Sequence, residues 1–247
     1  MSRNGICNYC KVDTKLINAH IVPRCFLGDV TQQNFLEAST EYLHTKRRPI
    51  GPYDQKILCA KCDGKIGEFD NYAKALLMDN IDQYRNSKHP FYQIPSQSYD
   101  YAKLKKFFIS LIWRASISSD DMFNRVSLGR YNDIALSHIK GKDPLDDNLF
   151  AVLLFKDAPS LKYQNTITFT ATKLAGKKSY KVHFAGYQVT IIPKASDMHW
   201  NIVNGTTSPA EMFLKDGSDF CILEVDQDLS GKDKILLNYK RSQQALN

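Results

Sequence analysis

The chain has 247 residues, of which 43% are hydrophobic, and 33 basic against 26 acidic side chains give it a formal charge of +7. This length and hydrophobic fraction exclude a disordered chain and allow either one large domain or a small module followed by a larger one. The basic excess, with a pI near 9.0, permits a polyanionic partner without requiring one. No apolar segment follows Met1 and no stretch approaches about 18 apolar residues, so we expect a cytoplasmic protein with no membrane span.

The most specific motif is a pair of Cys-x-x-Cys sequences, formed by Cys7 with Cys10 and by Cys59 with Cys62. Tetrahedral zinc coordination needs two close pairs of thiolates brought together from separate turns, so the spacing predicts a structural Zn²⁺ site. Two unrelated pairs of buried thiols, or disulfides in an exported protein, are the alternatives.

Around these cysteines the pattern predicts the order strand, loop, strand, helix. Residues 17–22 form the first predicted strand, which carries His20, and residues 28–52 are a polar insertion punctuated by Pro and Gly. Residues 57–58 then lead into the second cysteine pair. After that pair, apolar residues recur at helical spacing over residues 66–81.

The rest of the chain has a different pattern. A polar stretch at residues 87–98 is the predicted linker, so we expect one module at 1–86 and a second domain at 99–247. This second segment opens with two amphipathic helices, predicted over residues 101–115 and 131–139. Runs rich in β-branched and aromatic residues then predict strands at 149–155, 166–172, 181–184, 187–192 and 220–225. Helices followed by strands are typical of an α+β domain, and α+β is the predicted fold class.

Three polar residues of the N-terminal segment stand in a suggestive order. His20 opens the string His-Ile-Val-Pro, Asp54 lies five residues before the second cysteine pair, and Asp63 directly follows that pair. Over residues 5–82 this order resembles the HNH endonuclease family, whose ββα-metal fold holds one catalytic divalent ion, often beside a four-cysteine zinc site. Asp54 takes the place of the family's central asparagine, and Asp63 takes its last motif position.

The resemblance implies a role for each of these residues. His20 would deprotonate the attacking water, and Asp63 would hold a catalytic Mg²⁺ or Mn²⁺ through oxygen. Asp54 would orient His20 or brace its loop. The implied substrate is DNA, with RNA not excluded, and the expected phosphate contacts come from Arg24 and from the densest basic cluster, which lies on a predicted loop and consists of Lys46, Arg47 and Arg48.

The chain also departs from the family pattern, and each residue has a plainer interpretation. Ala19 stands where many members carry an acidic or histidine metal ligand. Asp63 could instead be the N-cap of a helix that begins near Gly64, and Asp54 could serve a turn. The alternative function is therefore a zinc-stabilised nucleic-acid-binding or adaptor protein with an inactive HNH centre.

The second domain carries no catalytic motif. Its first helix, around residues 107–116, is similar to a string in bacterial proteins that have an HNH-like N-terminus, some of them in antiphage or restriction systems. This resemblance implies a defence effector. The domain is expected to serve recognition or dimerisation, with a second copy or a partner protein of a defence system as the two options.

Overall fold

A computed structural model describes residues 4–27, 35–37, 46–48, 50–159, 166–196 and 212–225. In chain order the strands are β1 (Asn4–Ile6), β2 (Asp13–Lys15), β3 (Ala19–His20), β4 (Phe35–Glu37), β5 (Lys46–Arg48), β6 (Tyr53–Asp54), β7 (Phe91–Ile94), β8 (Leu149–Asp157), β9 (Thr166–Leu174), β10 (Lys177–Phe184), β11 (Tyr187–Lys194) and β12 (Phe220–Val225). The helices are α1 (Ala60–Lys74), α2 (Tyr101–Ile117) and α3 (Tyr131–Lys140). The mixture of helices and strands confirms the α+β class.

An eight-stranded sheet forms the larger part of the described fold, with the order β5-β4-β9-β10-β11-β8-β12-β7. Its neighbouring strands are antiparallel except for the β4/β9 and β8/β12 pairs, which are parallel. The N-terminal segment adds two small sheets, the β1-β2 pair and the β3-β6 pair, and α1 follows them.

Strand β8 shows how the sheet is buried on both of its faces. Phe150, Val152 and Leu154 belong to the main hydrophobic cluster, whereas Leu153 and Phe155 belong to a smaller cluster. Successive side chains of a strand point to opposite faces, so this alternation is the period of two expected of a strand in the middle of a sheet.

Helix α2 joins the sheet to the N-terminal segment. Its N-cap Asp100 accepts a hydrogen bond from the backbone N–H of Lys103 at 3.0 Å, which satisfies one of the free amide groups at the helix start. The helix packs between α1 and α3, and twelve of its residues are buried. Such a helix is covered on nearly all sides, so the buried Arg114 within it needs a polar partner.

The predicted helices at 101–115 and 131–139 and all five predicted C-terminal strands are confirmed, with ends shifted by a few residues. The helix predicted over 66–81 begins earlier, at Ala60, and ends in a π-helical turn at Ala75–Asp79. The first strand is shorter than predicted, because only Ala19 and His20 pair with β6.

Two other expectations were wrong. Residues 46–48 form strand β5 at an edge of the large sheet instead of a loop; charged residues are common on edge strands, which pair on one side only. The predicted linker at 87–98 contains β7, whose apolar side chains are buried at the opposite edge. Parts of the insertion, residues 28–34 and 38–45, lie outside the described residues.

One cluster of buried side chains extends from Cys7 in the N-terminal segment to Ile222 in the sheet. The division of the chain into residues 1–86 and 99–247 stays a prediction. Within the described part of the chain, no helix is both long and apolar enough to cross a membrane.

Candidate functional site

The four cysteines of the two Cys-x-x-Cys motifs form one cluster. The Sγ atoms of Cys7, Cys10, Cys59 and Cys62 all lie within 4.8 Å of one another, so together they could hold a metal ion such as zinc. The turn between β1 and β2 supplies the first pair, and the start of α1 supplies the second. The predicted clustering of the two motifs is confirmed.

Backbone hydrogen bonds join the two halves of this cluster. The N–H of Asn8 donates to the carbonyl of Ile57 at 2.9 Å, and the N–H of Ile17 donates to the carbonyl of Leu58 at 3.0 Å. The N–H of Cys59 lies 3.4 Å from the Sγ of Cys7 and donates to it. Backbone hydrogen bonds therefore connect the two segments that carry the four sulfurs.

The electrostatics of the cluster favour one thiolate. Burial would raise the pKa of Cys7, but N–H groups of Cys10, Cys59 and Tyr9 donate to its sulfur and lower that pKa to about 7. The pKa of Cys62 is raised, first by burial and then by the neighbouring thiols. The thiolate is the metal-binding form of cysteine, so this site has one ligand that ionises readily near neutral pH.

His20 lies on β3, which follows the turn that carries Cys7 and Cys10, and its ring is hydrogen-bonded to the polypeptide backbone. Its Nε2 lies 3.1 Å from the carbonyl oxygen of Ile50. A carbonyl oxygen can only accept, so Nε2 carries the proton of the neutral ring and Nδ1 keeps its lone pair. Burial lowers the pKa of His20 below its ordinary value, although the Ile50 carbonyl and the Asp63 carboxylate act in the opposite direction. The lowered pKa favours the neutral ring at pH 7, with a lone pair on Nδ1.

Asp63 lies in the first turn of α1, half-buried and near enough to His20 for their charges to interact. Burial raises the pKa of Asp63, while Arg114 and His20 act to lower it. The N-cap interpretation of Asp63 is wrong, because α1 begins at Ala60 and its N-cap is Cys59. The cysteine pair itself starts the helix, which leaves Asp63 inside the first turn.

Asp54 is buried and both of its carboxylate oxygens accept hydrogen bonds. One oxygen accepts from the N–H of Lys56 at 2.8 Å, and the other accepts from the N–H of Ser119 at 2.6 Å and from the hydroxyls of Ser118 and Ser119. Burial would raise its pKa, but these donors hold the pKa below the ordinary range. Among the described residues no hydrogen bond joins Asp54 to the His20 ring; its hydrogen bonds connect β6 to the segment that follows α2.

Arg114 of α2 supports the strand that carries His20. Its guanidinium makes a bidentate ion pair with Asp70 of α1, with nitrogen–oxygen distances of 2.9 and 2.8 Å. It also donates to the backbone carbonyl of His20 at 3.2 Å. The side chain of Arg114 is almost fully buried, so it connects three elements from within the core.

The predicted phosphate-binding residues have different surroundings. Arg24 is exposed in a short 3₁₀ helix just after the His20 strand. Arg48 makes a bidentate ion pair with Asp120, with distances of 2.6 and 3.0 Å, at one wall of a shallow cleft of about 270 Å³. The backbones of Lys46 and Arg47 belong to β5, but their side chains lie outside what the structure describes.

Several residues of this site were missed by the sequence analysis. Arg114 interrupts an apolar helix, and a charge in the middle of such a helix is a sign of a buried ion pair. Its partner Asp70 lies far away in sequence, and nothing in the spacing identifies it. Ser118 and Ser119 directly follow α2 and carry no pattern that indicates contact with Asp54.

Within the described ranges, the four cysteines are the one group of three or more side chains gathered closely enough to hold a metal ion. Comparison with known proteins adds no further assignment: no family model matches the chain, and no similar curated protein or solved structure was found.

Proposed function

We propose that this chain is a metal-dependent HNH-type endonuclease that hydrolyses DNA phosphodiester bonds and has a structural zinc ion in its four-cysteine site. The single observation that carries the proposal is the state of His20. The Nε2 of a neutral imidazole is bound to a backbone carbonyl, no hydrogen bond from the described residues reaches its Nδ1, and the ring lies in the electrostatic range of the Asp63 carboxylate. A base within electrostatic range of a carboxylate that can bind a divalent ion is suited to metal-assisted hydrolysis.

The four sulfurs fit zinc in both number and spacing. Tetrahedral coordination with Zn–S bonds of about 2.3 Å separates the sulfurs by about 3.8 Å, which is compatible with a cluster whose sulfurs all lie within 4.8 Å. Four thiolates leave no open position for water, so the zinc would be structural and would hold the β1-β2 turn against the start of α1.

A second divalent ion, Mg²⁺ or Mn²⁺, would be held by Asp63, the substrate phosphate and water. Mg²⁺ commonly binds through one or two carboxylates together with substrate phosphates, which agrees with a single carboxylate at this place. When bound, the ion would supply positive charge against the scissile phosphate and the departing oxygen. Asp63 is suited to hold it because a carboxylate oxygen is the kind of ligand that these ions prefer.

His20 is proposed as the general base that takes a proton from water at Nδ1. Burial keeps its pKa low, so the base is available at neutral pH without first losing a proton. The Ile50 carbonyl fixes the ring through Nε2, and Arg114 fixes the backbone of the same residue. The base is therefore positioned from both its side chain and its backbone.

DNA binding would involve the exposed Arg24 and the β5 residues Lys46, Arg47 and Arg48. Arg24 follows the His20 strand directly, which is a suitable place for contact with a flanking phosphate. Arg48 would first have to exchange the Asp120 carboxylate for a phosphate. Both groups present oxygen atoms that can accept two parallel hydrogen bonds from a guanidinium. The cellular role that we propose is that of an antiphage effector in the cytoplasm.

The test is a nicking assay on supercoiled plasmid DNA with added Mg²⁺ or Mn²⁺, comparing wild type with His20→Ala. His89→Ala is the matched control, since His89 is also partly buried but belongs to a loop before β7. We expect His20→Ala to lower the rate about 10²–10⁴-fold with zinc content and melting unchanged. Equal cleavage by wild type and His20→Ala would reject the assignment.

A second function has one observation in its favour. Ala19 offers no ligand beside His20, and its strand partner Asp54 has both oxygens engaged by the Lys56 amide and the two serines. A zinc-stabilised nucleic-acid-binding or adaptor protein would need neither a metal ligand at Ala19 nor a free carboxylate oxygen at Asp54. Wild-type protein that binds DNA in a gel shift, yet cleaves neither DNA nor RNA with any divalent ion, would favour it.

A further inference from the structure

A cleft of about 270 Å³ lies on another part of the surface, between the N-terminal end of α3 and the ends of β10 and β11. Its volume is near the lower end of the range for small-molecule sites. Six of its lining residues are cationic or aromatic: Arg130, Tyr131, Lys177, Lys178, Tyr180 and Lys194. Of the described residues that line it, none is acidic, so the cleft has a single sign of charge.

The two aromatic rings are fixed in place. Tyr180 is fully buried, and its hydroxyl donates to the backbone carbonyl of Ser127. Tyr131 is partly exposed at the start of α3 and meets the Phe150 ring edge to face, with 6.4 Å between ring centroids. A ring fixed in this way loses little conformational freedom when a ligand binds, so the exposed part of Tyr131 favours stacking of a planar group, with Tyr180 buried behind it.

The cations surround these rings. The guanidinium of Arg130 lies 5.2 Å from the centre of the Tyr131 ring, and the Nζ of Lys178 lies 5.5 Å from that of Tyr180. Lys178 also donates to the Ser127 carbonyl at 2.8 Å. At the cleft edge, the structure gives Lys194 no ion pair with any described residue, and Lys194 is exposed. Positive charge is therefore available next to an aromatic surface.

We propose that this cleft binds a nucleotide, with the base against the exposed part of the Tyr131 ring and the phosphate on the surrounding lysines and arginine. Stacking on aromatic side chains combined with a basic groove is the chemistry by which proteins bind single-stranded nucleic acid. A free nucleotide and one nucleotide of a single strand share this chemistry. The inference goes beyond the endonuclease proposal, because it concerns a different surface and needs neither His20 nor a catalytic ion.

The segment that follows α2 connects the two surfaces. Ser119 contacts Asp54 at the first site, and Ser127 lies in the cleft. Ser116, in the last turn of α2, accepts a hydrogen bond from the N–H of Leu128 at 2.9 Å, which fixes the cleft wall to the end of this helix. A strand held in the cleft would thus be bound by the same segment that braces the candidate catalytic site.

The test measures binding of a fluorescent single-stranded oligonucleotide to the full chain by anisotropy, with no divalent ion added so that cleavage does not interfere. Tyr131→Ala removes the exposed ring and Tyr131→Phe keeps it; stacking predicts at least a fivefold loss of affinity for the first and little change for the second. Unchanged binding by Tyr131→Ala would overturn the proposal.

A double variant tests the charges without touching the core. Lys177→Gln with Lys194→Gln should reduce the slope of log affinity against log salt concentration by about 1.4, the value for two phosphate contacts on a single strand. The matched control is Lys142→Gln with Lys215→Gln, at lysines outside the cleft. An equal change in the control would show that binding is spread over the basic surface and would overturn the proposal.

Competition identifies the source of the nucleotide. Displacement of the oligonucleotide by adenosine monophosphate, at concentrations where inorganic phosphate has no effect, would assign the cleft to a free nucleotide. Binding of the oligonucleotide that the mononucleotide does not displace would assign it to a strand. Equal displacement by inorganic phosphate and the mononucleotide would mean that no base is recognised, and would refute the proposal.

Discussion

The two halves of the molecule are stabilised in different ways. Around the cysteine cluster the strands are only two or three residues long, and the polar links there are the Asp54 hydrogen bonds and the Arg114–Asp70 ion pair. In the large sheet, β8 and β9 each have nine residues, and apolar side chains cover both faces of β8. Near the candidate site, polar links of single residues therefore add to an apolar core that is continuous with the sheet.

The residues of the candidate site and the residues that fill the core of the sheet also lie in different kinds of structure. Most of the candidate site's ionisable groups lie where short strands leave loops and helix starts close together, whereas aliphatic and aromatic side chains fill most of the large sheet, with the buried Asp157 and its partner His183 as an exception. Loops held by a rigid scaffold are where catalytic residues are commonly found. Removing a single polar link should accordingly damage the N-terminal half and spare the sheet.

The largest expected effect is the loss of the metal site. Structural zinc in small modules contributes about 10–16 kcal/mol of apparent binding free energy, so Cys59→Ser should remove the zinc and unfold the N-terminal half. Elemental analysis should find about one zinc per wild-type chain, and hydrogen exchange should show that β1, β2 and α1 lose protection in the variant while β8 and β11 keep it.

The matched control is Cys221→Ala, which removes a thiol of β12 in the sheet. It should leave the zinc content unchanged. Wild-type protein that is purified gently and contains no zinc, or a Cys59→Ser variant with unchanged melting, would contradict the metal site.

The next largest effect concerns the buried ion pair. Arg114→Met leaves the buried carboxylate of Asp70 without a partner, which should cost about 3–5 kcal/mol of unfolding free energy in urea titrations. The double variant with Asp70→Leu removes both charges and should recover much of that loss. A cost below about 1 kcal/mol for Arg114→Met would mean that this pair does not support the His20 strand.

A smaller effect is expected at Asp54. Asp54→Asn replaces a charged acceptor of four hydrogen bonds and should cost about 1.5–3 kcal/mol. Because the pKa of Asp54 is lowered in the folded protein, its contribution is present above the unfolded-state pKa of about 3.9 and is lost as the pH falls through the folded-state pKa.

The difference in unfolding free energy between wild type and Asp54→Asn should therefore be constant from pH 7 to about pH 5 and shrink below about pH 4. Asp121→Asn, at an exposed carboxylate close to the same segment, is the control and should have little effect. If the difference in unfolding free energy instead grew as the pH fell, it would contradict a lowered pKa for Asp54 in the folded protein.

The same contrast explains what could be predicted from the sequence. The cysteine cluster, the three helices and the C-terminal strands follow from local spacing and periodicity, which the sequence displays directly. The hydrogen bonds donated to Asp54 and the ion pair of Arg114 depend on groups brought together by tertiary packing, and no local sequence pattern predicts such contacts. Strand β5 was missed because three consecutive basic residues favour a loop, whereas pairing with β4 at a sheet edge decides the outcome.

Asp63 provides the most direct test of the proposal that His20 and Asp63 form a metal-dependent catalytic site. The measurement is the rate of plasmid cleavage against Mn²⁺ concentration for wild type, Asp63→Asn and Asp63→Ala, with melting temperature measured in parallel. If Asp63 binds the ion through oxygen, Asp63→Ala should lose activity, whereas Asp63→Asn should keep a remnant that needs more Mn²⁺ because an amide oxygen is a weaker ligand. If Asp63→Ala cleaved plasmid DNA at the wild-type rate at low Mn²⁺, Asp63 could not be the ligand of the catalytic ion.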